Sequence, residues 1–159
     1  GLISESKQAC RWVHEVSDEV SEALSRGSQG ICAVARTEAI ESVLPEIQSG
    51  DTLVVIAQGR DPGNVGAIIR TADAMGARAI VSVKGSVDSS SPKVIRSSAG
   101  SVFHLPIVPA AAFGEACQTL RGMNAVILGT SGAQGAYSLT SLISYAVFCL
   151  KKKLAQTHN

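Results

Sequence analysis

The chain alternates short apolar runs with stretches of helical periodicity, and this alternation limits the possible folds more than any other feature. Each apolar run is four to six residues long, which is typical of a strand buried on both faces of a sheet. Strands that alternate with helices run parallel, joined by right-handed crossovers. The pattern predicts an α/β domain with a doubly wound, mostly parallel sheet, whose strands cover Leu53–Ala57, Arg78–Val83, His104–Val108 and Ala125–Leu128.

The segments between these runs carry helix signals. Apolar residues at helical spacing, and a Pro after Ser91 at the first helical position, predict helices over Asn64–Met75, Pro92–Arg96 and Ala111–Leu120, and from Ser138 onward. Upstream of the first strand, the same reasoning predicts a helix over Asp18–Ser25 capped by Ser17, a strand over Ile31–Ala35 and a helix over Glu38–Ile47.

The composition fits one globular domain with an aliphatic core. The 159 residues are 45% apolar, 17% charged and 4% aromatic, which argues against a disordered chain. Fourteen basic and thirteen acidic residues leave almost no net charge, so any affinity for nucleic acid must come from a local patch. The chain has no apolar run of roughly 20 residues, no secretory signal, and four cysteines without a CxxC pair. We therefore expect a cytoplasmic protein without a metal site.

The most informative stretch is Asp61–Gly76, DPGNVGAIIRTADAMG, which follows the first strand. A loop and a helix after a parallel strand are where α/β enzymes build their sites. Asn64 lies at the start of the helix, and Arg70 is a cation on an otherwise apolar helix, so both are candidate site residues. Two simpler interpretations stay open: Asn64 caps the helix, and Arg70 forms an ion pair with Asp73.

A second candidate stretch, Ser89–Pro106, is rich in small hydroxyl residues and contains two cations, Lys93 and Arg96. Hydroxyls, backbone amides and cations within one turn are suited to contact a phosphate backbone. Ser97 and Ser98 also have small side chains, against which another segment could pack closely. The alternative is an ordinary polar turn with basic residues on the surface.

A third candidate is the glycine-rich loop Leu128–Gly135, which follows the last predicted strand. A loop of this kind at the carboxyl end of a strand suits a nucleotide-like ligand, although it is neither a GxGxxG motif nor a P-loop. It could equally be a flexible turn.

Together, DPGNVGAIIRTADAMGA and SSPKVIRSSAGSVFHLPI resemble the first two motifs of the SpoU/TrmH-type RNA ribose 2′-O-methyltransferases, members of the SPOUT superfamily of knotted enzymes. The resemblance extends over about residues 28–140. It implies transfer of a methyl group from S-adenosylmethionine to a ribose 2′-hydroxyl of rRNA or tRNA. It further implies that Arg70 and Asn64 are catalytic, that RNA is bound by Lys93, Arg96, Ser97 and Ser98, and that the cofactor is bound by Gly129, Thr130 and Ser131.

The resemblance ends before the family's third motif, which threads the knot and completes the cofactor pocket. The segment Ser138–Ser141, SLTS, resembles this motif only weakly. We therefore expect a SPOUT-type fold with an incomplete knot. Because the family's homodimer forms through the knot helices, the incomplete knot also argues against that homodimer in this chain. Residues 1–30 are interpreted as the remnant of an N-terminal RNA-binding domain and linker, and residues 31–159 as a C-terminally incomplete methyltransferase domain. The alternatives are a non-catalytic RNA-binding domain, a truncated vestigial copy, or a generic nucleotide-binding α/β domain.

Overall fold

The computed structural model describes residues 1–129 and 147–151 and divides the chain into two compact units, Gly1–Ala35 and Arg36–Asn159. The first unit contains helices α1 (Leu2–Ala9) and α2 (Asp18–Leu24). The Ser17 hydroxyl caps α2 by accepting a hydrogen bond from the Val20 amide at 3.4 Å, as predicted. The predicted strand over Ile31–Ala35 is wrong: the segment is irregular and exposed. An apolar run forms a strand only where a neighbouring strand pairs with its backbone.

The second unit contains a five-stranded sheet with helices. Its elements are β1 (Thr52–Ile56), α3 (Pro62–Ala74), β2 (Ala79–Val83), α4 (Pro92–Ser97), β3 (Ile107–Ala110), α5 (Phe113–Gly122), β4 (Ala125–Gly129) and β5 (Val147–Lys151). The strand order is β3-β2-β1-β5-β4. Strands β1, β2 and β3 are parallel, whereas β5 is antiparallel to both of its neighbours, so β4 has the same direction as β1.

Alternate residues of the strands supply two separate cores, one on each face of the sheet. Val54 and Ile56 face α3 and α4 in the first core, whereas Leu53 and Val55 face α5 in the second. Because successive side chains of a strand point to opposite faces, β1 must be apolar along almost its whole length. The doubly wound, mostly parallel α/β sheet predicted from the sequence is therefore confirmed.

Two further segments differ from the predictions. The expected helix over Glu38–Ile47 is only a 3₁₀ turn, Thr37–Ala39, after which the Ser42 amide donates to the Ile107 carbonyl at 2.8 Å. Pro45 explains the difference, since it lacks the amide hydrogen that a helix interior needs. The chain after Ser138 was expected to be helical, but 147–151 form β5; residues 138–146 lie outside the described residues. The apolar run Val147–Leu150, with its β-branched and aromatic residues, suits a strand that has neighbours on both sides.

The C-terminus of α3 shows why the helix stops before β2. Gly76 has a φ of +72°, a left-handed conformation that glycine adopts without strain. The Gly76 amide donates to the Asp73 carbonyl at 3.0 Å, and the Ala77 amide donates to the Ala72 carbonyl at 2.9 Å. These two bonds form a Schellman motif, which turns the chain into β2. Among the residues that the structure describes, no helix is long and apolar enough to cross a membrane.

Candidate functional site

Helix α3 begins at a cap that the sequence analysis missed. The Asp61 carboxylate accepts a hydrogen bond from the Asn64 amide at 2.8 Å, and Pro62 occupies the first helical position. Asp followed by Pro is a standard helix start, so the signal was present in the sequence. Asn64 is therefore not the cap: it lies in the first turn with its side chain exposed, which leaves its amide group available to a ligand.

The second simple interpretation, an ion pair between Arg70 and Asp73, is also wrong. The Asp73 carboxylate instead contacts the His104 imidazole, with 2.7 Å between Oδ1 and Nδ1. Arg70 is exposed. Within residues 1–129 and 147–151, no hydrogen bond or ion pair holds its guanidinium. An arginine without a partner, on a helix that is otherwise fixed by packing, can bind an anion through two parallel hydrogen bonds of its guanidinium.

The structure places Asn64 and Arg70 on the same helix but not at one spot. Six residues along a regular helix correspond to a rotation of about 120° and a rise of about 9 Å. Asn64 borders a cavity of about 420 Å³ that lies between α3 and β1. Arg70 lies one turn beyond Gly66, on the side of α3 that packs against α4. The two side chains therefore start from different sides of α3, one bordering the cavity and one near α4.

Helices α3 and α4 cross at very close range. A Cβ atom added to Gly66 would overlap the Ser97 side chain and lie 2.8 Å from the Ser98 amide nitrogen. The Ser97 hydroxyl lies 3.0 Å from the Pro62 carbonyl oxygen and 2.8 Å from that of Lys93, so its one proton bonds either within α4 or across to α3. Ser98 is fully buried, and its hydroxyl donates to the Ile95 carbonyl at 2.8 Å. In this structure both serines serve the helix crossing, and their predicted role in RNA binding stays a prediction.

The cations of the second motif lie on the outer surface of α4. The Ser91 hydroxyl caps this helix by accepting from the Val94 amide at 3.4 Å. Lys93 and Arg96 are three residues apart and both exposed, so they lie close together on one side of the helix. This exposed pair makes the outer surface of α4 basic.

The contact between Asp73 and His104 ties the end of α3 to the turn that precedes β3. Hydrogen bonds from His104 and then from the Ser101 hydroxyl hold the pKa of the Asp73 carboxyl below its ordinary value. The side chain of His104 is 81% exposed and that of Asp73 is 20% exposed. The two residues are 31 positions apart, and no local pattern links them, so the sequence could not have predicted the contact.

Of the third predicted site, the structure describes only Leu128 and Gly129. Gly129 ends β4, is half-buried and pairs with Val147 of β5, which in turn pairs with Val55. Gly129 therefore lies at the same end of the sheet as the start of α3, about 10 Å from Val55 across two strand spacings. Thr130 and Ser131 lie outside the described residues.

Comparison with known proteins decides the lineage. The profile of the SpoU rRNA methylase family matches residues 51–155. The chain belongs to the SpoU rRNA methylase family. It is also similar to the 23S rRNA (guanosine-2′-O-)-methyltransferase of Bordetella pertussis, with 28% identity over 140 residues. A second similar protein, the 23S rRNA (guanosine(2553)-2′-O)-methyltransferase of Bacillus subtilis, is 39% identical over 83 residues.

Solved structures support the same family. The rRNA methyltransferase of Sinorhizobium meliloti is 34% identical, with a TM-score of 0.56 over 66% of this chain and 41% of that one. Its AdoMet-bound form has 31% identity and a TM-score of 0.51. The chain spans 57% of the length of the Bordetella relative and 34% of the length of the Bacillus relative. The resemblance to the SpoU family inferred from the two motifs is thus confirmed.

Proposed function

We propose that this SpoU-family chain takes part in the transfer of a methyl group from S-adenosylmethionine to a ribose 2′-hydroxyl of ribosomal RNA. The observation that carries the proposal is the exposed guanidinium of Arg70, without a partner in the described structure, inside the segment that matches the family. Both relatives compared above act on 23S rRNA, which favours rRNA over tRNA. An S. meliloti relative that binds AdoMet supports the choice of methyl donor.

Arg70 is proposed to position the ribose that receives the methyl group. A guanidinium keeps its proton at neutral pH and is therefore a poor base, but its planar fork of donors matches a phosphate or a pair of sugar oxygens. Holding the RNA backbone by two parallel hydrogen bonds restricts the 2′-hydroxyl to the orientation needed for attack, and such orientation contributes several kcal/mol to catalysis in general.

Asn64 and Gly129 are proposed to lie on the methyl-donor side of the site. Both are at the carboxyl end of the sheet, where ligands of open α/β sheets bind. Gly129 has no side chain, so a ligand could approach its backbone closely; Thr130 and Ser131 follow it directly. S-adenosylmethionine would supply an electrophilic methyl group there, while Asn64 would orient polar groups of the bound molecules.

RNA is proposed to run along the outer surface of α4, where Lys93 and Arg96 contact its phosphates. The roles of Ser97 and Ser98 are then indirect, because they set the distance between α4 and α3. Residues 1–30 as the remnant of an RNA-binding domain, the loss of the family's homodimer and a cytoplasmic location remain further predictions. Sedimentation of the purified chain would check the homodimer.

The decisive experiment is a methyl-transfer assay with the purified chain, tritiated S-adenosylmethionine and unmodified rRNA, followed by detection of alkali-resistant dinucleotides. We expect label in a ribose 2′-O-methyl group. Folded protein that shows no heat of binding on titration with S-adenosylmethionine, and incorporates no label, would overturn the proposal.

The alternative function, RNA binding without turnover, is favoured by the exposed cations of α4, which require no cofactor. Replacing Lys93 and Arg96 with Ala removes two phosphate contacts, so the slope of log K against log salt concentration should flatten by about 1 to 2. RNA binding with this salt response, but without methyl transfer, would identify the chain as a binding module. An unchanged slope would show that Lys93 and Arg96 make no phosphate contacts and that α4 is not part of the RNA interface.

A further inference from the structure

A second cleft, separate from the site described above, lies at the carboxyl ends of β2 and β3. Its volume is about 400 Å³, which is in the range of about 300 to 1,000 Å³ that is typical of small-molecule sites. Val87, Ile107 and Pro109 form apolar walls, and Lys84 lies at the rim with two carboxylates, Glu41 and Asp88. The cleft therefore combines apolar surface for a flat ring with charged groups at its mouth.

The loop that closes this cleft contains one buried hydroxyl without a partner. The Ser86 hydroxyl has partners within the protein, since it donates to the Ile56 carbonyl at 3.1 Å and accepts from the Gly59 amide at 3.2 Å. Ser89 also lines the cleft and is only 8% exposed. In the described part of the chain, however, no residue forms a hydrogen bond with the Ser89 hydroxyl. A buried polar group without a partner costs free energy unless a ligand or water satisfies it.

The charges at the rim indicate which ligand fits. Two carboxylates beside one lysine disfavour a bare anion, but they can accept hydrogen bonds from the amino and imino groups of a nucleobase. Asp88 keeps one carboxylate oxygen available, because the Ser90 amide and hydroxyl both donate to its Oδ1, at 2.8 Å and 2.7 Å. Lys84 can then contact the phosphate attached to the same nucleoside.

The position of the cleft separates it from the predicted methyl-donor site. In the sheet, β4 with Gly129 lies three strands from β2 and four strands from β3. At the usual strand spacing, these distances are about 14 Å and about 19 Å. Ser89, in contrast, is two residues before the cap of α4, the helix with the exposed cations Lys93 and Arg96. A nucleoside in the cleft is thus placed to belong to RNA that runs along α4.

We propose that this cleft binds one unstacked base of the single-stranded RNA substrate. Proteins that read RNA usually splay out single bases and bind their edges. Here the base lies between the apolar walls, the Ser89 hydroxyl bonds to its edge, and Lys84 contacts its phosphate. The identification of the ligand as RNA rests on the proposed function, but the cleft and the unsatisfied hydroxyl do not.

The test compares two tryptophan substitutions at neighbouring exposed alanines. Ala111 lines the cleft, so Ala111→Trp fills it from the surface with little risk to the core; Ala112 does not line it, and Ala112→Trp is the matched control. Fluorescence anisotropy with a labelled single-stranded RNA 12-mer of mixed sequence measures the effect. We expect Ala111→Trp to weaken binding by about tenfold or more, the value of one stacked base, and Ala112→Trp to change it less than about twofold.

A second variant, Ser89→Ala, removes the hydroxyl and keeps the cavity. We expect it to weaken RNA binding by about fivefold, as for the loss of one hydrogen bond to a bound ligand, without loss of protein stability. Ala111→Trp that is folded by circular dichroism and binds the 12-mer as wild type does would overturn the proposal. So would a wild-type chain that does not bind the 12-mer.

Titration with S-adenosylmethionine separates the two possible sources of a nucleoside. If Ala111→Trp abolishes binding of S-adenosylmethionine and leaves RNA binding intact, the cleft belongs to the methyl donor and the assignment to RNA is wrong. Failure of the proposed function has a different signature. It would appear as a wild-type chain without methyl transfer, whatever the two tryptophan variants do to RNA affinity.

Discussion

The two sides of α3 differ in how tightly they are packed. One side, which we call the α4 side, carries Gly66, Arg70 and Asp73; at Gly66 there is no room for a single methyl group, and Asp73 bonds to His104. The other side, which we call the open side, carries Asn64 and borders a cavity of about 420 Å³. The same helix thus has one side specified by contacts and one side left accessible.

This difference shows what each side can contribute to function. On the α4 side, packing holds the backbone of Arg70 in place while its guanidinium stays exposed. A fixed backbone and an accessible guanidinium suit a residue that positions a substrate. On the open side, a cavity without such contacts suits a ligand or another segment of protein. The comparison can be tested by substitutions that affect one side only.

The largest effect is expected at Arg70. Arg70→Ala should lower the rate of methyl transfer by about 100-fold or more, because a positioning group with forked hydrogen bonds is lost. Arg70→Lys should recover little of the rate, since an ammonium group cannot bond in two parallel directions. The free energy of unfolding should change by less than about 0.5 kcal/mol for this exposed side chain. Single-turnover kinetics and urea denaturation measure the two quantities.

Arg121 provides the matched control, as an exposed arginine at the end of α5 on the opposite face of the sheet. Arg121→Ala should leave the rate of methyl transfer unchanged. If both arginine variants lose the same activity, the α4 side has no special role, and the loss reflects the general charge of the protein.

The next largest effect is expected at Gly66, where the prediction concerns stability. Gly66→Ala forces its methyl group against Ser97 and the backbone of Ser98, and such overpacking costs about 1 to 3 kcal/mol of unfolding free energy. Gly114→Ala is the control in α5, where a new Cβ would meet no atom within 4 Å. In this open position alanine should be neutral or stabilising by up to about 1 kcal/mol. A Gly66→Ala variant as stable as wild type would show that the α4 side is not tightly packed.

The third prediction separates capping from function at the start of α3. Asp61→Ala removes the cap and should cost about 1 kcal/mol of unfolding free energy. Asn64→Ala should cost less than about 0.5 kcal/mol, because the Asn64 side chain is exposed and only its backbone amide bonds to the cap. If Asn64→Ala nevertheless lowers methyl transfer, the open side takes part in the reaction. Equal rates for wild type and Asn64→Ala would exclude Asn64 from the site.

The sequence predicted the sheet well because its signals are local. Runs such as Leu53–Ala57 are apolar on both faces, and few folds other than a buried parallel sheet accommodate them. The errors occur where one residue or a distant partner decides. Pro45 breaks the expected helix, and the run Ile31–Ala35 lacks the neighbour that would make it a strand. The strand at 147–151 exists because two other strands pair with it.

The candidate site was predictable in its residue types but not in its geometry. The pattern identified Arg70 as unusual because it is a cation on an apolar helix. The spacing of Asn64 and Arg70 already implies that they lie on different sides of a helix, but the sequence could not show that one side packs against α4 while the other borders a cavity. It also could not show the contact of Asp73 with His104, which forms only once β3 packs beside β2.

The smallest effect is expected at Asp73 and depends on pH. Its folded-state pKa is lowered, first by the hydrogen bond with His104 and then by that with Ser101. The lowered value means that the carboxylate stabilises the fold at pH values above its ordinary pKa of 3.8, and that this contribution is lost as the pH falls through the lower folded-state pKa. Asp73→Asn should therefore lower the urea midpoint at neutral pH, and the difference from wild type should shrink in acid.

The His104→Ala background tests whether this pH dependence belongs to the contact between α3 and the turn before β3. Most of the effect of Asp73→Asn on the urea midpoint should vanish there, because the hydrogen bond with His104, which lowers the Asp73 pKa most, is already absent. An effect that persists unchanged in this background would be assigned to Ser101 or to charge alone. The α4 side would then be held at Gly66 by packing and not, in addition, by a polar contact at its end.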